Sequence, residues 1–72
     1  MDQLLRQLQR SLGGEQGASI RAANVREDGT LVVLVSSPAW AARLRFEEEA
    51  LLAAAREAGI DVSTCKVRVS QD

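Results

Sequence analysis

The side chains able to do chemistry in this sequence are mostly cations, and their positions argue for binding rather than catalysis. Arg21, Arg43, Arg45, Lys66 and Arg68 are the set of interest. Eight of the nine cations are Arg and one is Lys. A guanidinium presents a planar fork of donors that fits phosphate or carboxylate. Two aromatic residues, Trp40 and Phe46, stand among these cations. Trp and Arg are both enriched at the centres of interfaces. Glu47-Glu48-Glu49 offers three carboxylates, but successive helical residues splay by about 100°, so they cannot converge on one ion. They suit the positive end of a helix instead. The sequence has no His and one Cys, Cys65, on the apolar side of a predicted strand. It has no Gly-rich loop opening a helix and no cluster with metal-ligand spacing. The expectation is therefore a non-enzymatic protein without cofactor, metal or small-molecule substrate.

The elements that must position these residues are organised around 28–46. Asp28-Gly29 is a turn signal, because Gly takes positive φ without a Cβ penalty. Leu31 to Val35 is a short apolar run, three of its five residues β-branched. It reads as a strand over 30–36, buried on both faces. Ser37 then caps a helix with its hydroxyl, and Pro38 suits the first helical position, where no N–H is needed. The helix carries Trp40, followed one turn later by Leu44.

Before this stretch, residues 2–12 read as a helix capped by Asp2, with Leu4, Leu5, Leu8 and Leu12 on one face. That face serves either a core or a docking partner. Residues 13–18 read as a loop. Residues 19–26 read as a strand in which Ile20 and Val25 have opposite parity, as at an edge or a bulge. After it, Trp40, Leu44, Leu51 and Ala55 share a helical face, while Phe46 points roughly 150° away. That phase jump and the acidic run predict a break near residues 46–48, with helices over 38–46 and 48–58. Gly59 is placed to end the second. Phe46 either fills a satellite core beneath the first helix or faces a partner. Trp40 is expected to be largely buried with Leu44 and Leu51. Residues 63–69 form a strand of clean alternation, Cys65, Val67 and Val69 inward, Lys66 and Arg68 outward.

Seventy-two residues make one small domain near the lower limit of independent stability. Apolar residues make up 46% of the sequence, but many are Ala, so the core is modest. Net charge is −1, which excludes a bulk basic signature for nucleic acid and leaves only local cationic patches. The lone Cys and the lack of a signal peptide or long apolar run point to a cytoplasmic protein with no membrane role. The order α-β-β-α-α-β predicts an α+β fold: a three-stranded mixed sheet with helices packed on one face.

The ordered set Asp-Gly-Thr-Leu-Val-Val-Leu-Val-Ser-Ser-Pro-Ala-Trp-Ala-Ala-Arg-Leu-Arg (28–45), Leu51-Leu52 and Lys-Val-Arg-Val (66–69) resembles the DciA family of bacterial replicative helicase loaders or operators. The resemblance implies a single KH-like domain of type II over 1–72, and two partners, the replicative DNA helicase and single-stranded DNA. It implies an adaptor that helps place the helicase on DNA during replication. The alternative is a stand-alone KH-like single-stranded nucleic-acid binder without a helicase role. KH domains that clamp nucleic acid carry Gly-x-x-Gly between paired helices; here the junction is Arg45-Phe46-Glu47-Glu48. Some members also carry a long extension outside the globular domain, and the expectation here is a minimal version or an isolated domain. The partner-binding candidates are Phe46, Arg43, Arg45 and Trp40. The nucleic-acid candidates are Arg21, Arg43, Arg45, Lys66 and Arg68, expected to bind weakly and with salt dependence.

Overall fold

The computed structural model describes residues 3–70. Helix α1 spans Gln3–Leu12, α2 Gly14–Ser19, α3 Pro38–Leu44 and α4 Glu48–Glu57; strands β1, β2 and β3 span Ile20–Val25, Thr30–Val35 and Thr64–Val69. A single 3-10 turn, Arg45–Glu47, separates α3 from α4. The expected cap Asp2 lies outside the described residues.

The protein is α+β with a three-stranded mixed sheet in the order β1-β2-β3. β1 and β2 are antiparallel, and β2 and β3 are parallel, joined through α3 and α4. At the hairpin between β1 and β2, Gly29 has φ 87° and the Asp28 carboxylate accepts a hydrogen bond from the Thr30 N–H at 3.0 Å. Hydrogen bonding from Thr30, its side chain first and its N–H second, holds the Asp28 carboxyl below its ordinary range.

Parity divides the sheet into two faces. Leu31, Val33, Val35, Cys65 and Val67 are buried under the helices with Ile20, Leu8, Leu44, Leu51, Ala54 and Ala55. The alternate residues of β2, Val32 and Leu34, are only half-buried. They lie opposite Lys66 and Arg68 of β3. The strand expected to be buried on both faces is thus buried on one, because the helices cover one side of the sheet only. The parity conflict in β1 is resolved by a register shift between Ile20 and Ala22. One extra residue there returns both Ile20 and Val25 to the helical side, as a bulge does.

Residues 13–18, expected to be a loop, contain α2 instead. Gly13 and Gly14 adopt φ 68° and 53° and turn the chain directly from α1 into α2. Gly17 is then buried against the backbone of Gln9, where any side chain would overlap the Gln9 carbonyl oxygen. A Gly-rich segment has poor intrinsic helicity, and here packing overrides it.

Along the long helical region, Ser37 caps α3 by accepting from the Trp40 N–H at 3.3 Å, with Pro38 at its start. The 38–46 helix ends at Leu44, two residues earlier than expected, and tightens into the 3-10 turn. α4 closes in a Schellman arrangement. Gly59 (φ 85°) donates to the Arg56 carbonyl at 2.9 Å, and Ile60 donates to the Ala55 carbonyl at 3.1 Å. The Arg56 guanidinium then ties the following loop by donating twice to the Val62 carbonyl, at 3.2 and 3.0 Å.

Candidate interaction surfaces

Two surfaces emerge from this frame. The first lies on the helical side. Trp40, expected to be largely buried, is half-buried. It packs against the edge of the core rather than inside it, because the layer above the sheet is filled by the smaller Ala41 and by Leu44 and Leu51, all fully or nearly buried. One side of Trp40 lines a shallow hollow of about 450 Å³ with Glu15, Ala18, Ser19 and Ser36. The Arg43 guanidinium lies 5.4 Å from the indole centroid, within cation–π range. α2, which was not anticipated, forms the far wall of that hollow.

Phe46 sits on the 3-10 turn and is 89% exposed. The alternative in which it fills a core against Leu4 and Leu8 is therefore excluded. The reason is geometric. The turn carries the chain from α3 to α4, whose inward positions are taken by Leu44 and Leu51, and position 46 is left facing solvent. An exposed Phe flanked by Arg45 is an apolar group with no internal packing role.

The second surface lies along β3. Arg45, Glu48, Cys65, Lys66, Val67 and Arg68 line one groove of about 200 Å³. Residues far apart in sequence are brought together here because α3 and α4, on either side of the 3-10 turn, both pack against the strand. Of the five cations singled out from the sequence, three converge: Arg45, Lys66 and Arg68. Arg43 is instead stacked on Trp40, and Arg21 stands at the bulge of β1, on the opposite edge of the sheet. Two further cations, Arg6 and Arg10, line a hollow of about 280 Å³ with Gln3, Gln7 and Ala58. The sequence signal for these two was only their shared polar face on α1. Burial, and secondarily the charge of Glu48, pushes the Cys65 thiol up to about 11, so it stays protonated and inert at neutral pH.

Among the described residues no group of three or more His, Cys, Asp or Glu side chains gathers as a metal site would. No helix among them is long and apolar enough to cross a membrane.

Residues 1–67 match the model of the family described as Dna[CI] antecedent, DciA. The chain belongs to the DciA family. That family is one of replicative helicase loaders and adaptors rather than enzymes, and it places this DciA-family chain in DNA replication in general terms. No curated protein and no solved structure matches the chain.

Proposed function

We propose that this DciA-family protein is a non-enzymatic adaptor that binds the replicative DNA helicase and assists its loading onto single-stranded DNA. The observation that carries the reading is the family match over residues 1–67. The two surfaces divide the work. The helical side, with exposed Phe46 and the Arg43 and Trp40 stack, meets the helicase. An exposed aromatic beside Arg has the composition of an interface anchor. The cationic groove of Arg45, Lys66 and Arg68 meets phosphate, with Arg21 contributing only if the strand crosses the sheet.

Contact with single-stranded DNA rests on charge alone. The junction Arg45–Glu48 has no Gly to admit a nucleic-acid backbone closely, and Glu48 stands in the groove itself. Binding is accordingly weak and falls with salt. We further propose a KH type II-like architecture, supported by the strand order and by the paired helices α3 and α4 ahead of the parallel strand. A second reading, a stand-alone single-stranded nucleic-acid binder, is favoured by the convergence of three cations at β3. Pull-down of the cognate replicative helicase by the tagged protein separates the two. Retention of the helicase supports the adaptor. Failure to retain it, with binding of oligothymidylate intact, supports the stand-alone binder.

A further inference from the structure

The backbone of β3 offers something its charges do not. The strand order places β3 at an edge of the sheet. The Ser70 N–H donates to the Val35 carbonyl at 2.8 Å, while at the strand's start the Gly29 carbonyl is shared by the Ser63 and Thr64 N–H groups, at 2.9 and 3.4 Å. Within a strand, the N–H and C=O of one residue point to one side, and the side alternates from residue to residue. The even positions 64, 66, 68 and 70 therefore face β2. Cys65, Val67 and Val69 turn their N–H and C=O groups toward the open edge.

Among the described residues, no turn, helix or side-chain group hydrogen-bonds those edge groups. Cys65 and Val67 line the β3 groove although each is about nineteen-twentieths buried, at 6% and 4% exposure. Their odd parity puts their N–H and C=O groups on the open edge. The other edge of the sheet differs. β1 is bulged near Ile20, and the Ile20 carbonyl already accepts from Gln9 Nε2 at 3.1 Å.

We propose that the β3 edge is a strand-addition site for an extended acidic segment of a partner protein. The edge supplies alternating donors and acceptors, which an incoming peptide backbone satisfies and a phosphate, having only acceptors, does not. Specificity comes from the side chains. Lys66 and Arg68 stand on the open face of the sheet, and an added strand sets every second side chain directly beside them. Arg45 stands at the wall of the groove. Acidic residues at alternate positions on the open face meet Lys66 and Arg68, while Arg45 and Glu48 stand on the helical side of the groove. A second copy of β3 in the same place would bring Lys66 and Arg68 against their own kind, so the edge disfavours self-pairing. This inference does not rest on the helicase reading.

The test uses the whole protein and an acetylated, amidated peptide of alternating Val and Glu, about eight residues long to match an ordinary strand. Nuclear magnetic resonance titration should show saturable shifts at the Cys65 and Val67 amides, and their hydrogen exchange should slow. The same peptide N-methylated at alternate residues on its hydrogen-bonding edge should not bind. Replacing its Glu residues by Lys should abolish binding to the wild type. The Lys66→Glu/Arg68→Glu protein, at two exposed positions, should lose roughly tenfold in affinity for the acidic peptide and gain for the basic one. Equal binding of the N-methylated peptide would mean charge attraction without strand addition and would overturn the proposal. So would shifts of the edge amides produced by oligothymidylate but not by the acidic peptide, which would leave the groove to nucleic acid alone.

Discussion

Replacing Gly17 by Ala sets a gain in helix propensity against a steric clash, and the structure decides the sign. Gly17 lies within α2, where Ala is intrinsically better by about 0.5–1 kcal/mol. The added methyl, however, would overlap the Gln9 carbonyl oxygen and lie 3.1 Å from the carbonyl carbon. Both are backbone atoms of α1 and cannot swing aside. α1 cannot retreat easily either, because Leu8 is fully buried in the core and Gln9 Nε2 is bonded to the Ile20 carbonyl. Overpacking of this kind costs about 1–3 kcal/mol. Because the overlap is with a backbone oxygen, the cost falls in the upper part of that range, and the net expectation is a loss of about 1–2 kcal/mol, or a fall in Tm of roughly 4–16 °C for a domain of this size. Urea denaturation followed by Trp40 fluorescence and by circular dichroism measures it. Ala18→Gly, at an exposed position of the same helix, calibrates the propensity term. A Gly17→Ala protein as stable as the wild type, or more so, would refute the close packing of α2 on α1.

Trp40→Ala should cost about 1–3 kcal/mol rather than the roughly 3–5 kcal/mol of a fully buried aromatic, since the indole is half-buried; chemical denaturation distinguishes the two. Burial holds the Cys65 thiol up at about 11 against an ordinary 9.0. The folded state binds that proton more tightly than the unfolded state. Stability is therefore intact below about pH 9 and is lost as pH rises through 11, and Cys65→Ser should flatten that decline in a pH series of urea melts. Single-stranded DNA binding that uses Arg45, Lys66 and Arg68 should show a log–log salt slope of about −2, from roughly −0.7 per phosphate neutralised. Anisotropy titrations across a salt series measure it, and a slope near zero would point to stacking instead.

Much of the frame could be read from local chemistry. The hairpin at Asp28-Gly29, the cap at Ser37-Pro38 and the stop at Gly59 each rest on residues adjacent in sequence, and each is formed as those residues dictate. The opposite parity of Ile20 and Val25 signalled the bulge. Features set by packing were less legible. Gly14–Ser19 has poor intrinsic helicity, and α2 packs on α1, α3 and β1, with Gly17 against the Gln9 backbone. Trp40 lies outside the filled layer of Leu44 and Leu51, a matter of space that periodicity does not report. The grouping of Arg45 with Lys66 and Arg68 depends on how α3 and α4 pack on β3. Phe46 was legible only as out of phase; its exposure follows from the path of the 3-10 turn.

The proposal's central claim is that the helical side of this DciA-family protein, not the open face of its sheet, engages the replicative helicase. The direct measurement is a binding titration of labelled cognate helicase with four proteins: wild type, Phe46→Ser, Arg43→Ala and Lys66→Ala/Arg68→Ala. All the substituted side chains are exposed, so each variant should keep its stability within about 0.5 kcal/mol, checked by urea melts before use. The account predicts that the wild type binds, that Phe46→Ser and Arg43→Ala lose at least about tenfold in affinity, and that Lys66→Ala/Arg68→Ala binds as the wild type does. Loss of binding in the strand variant with the helical variants unaffected, or no binding by the wild type, would contradict it.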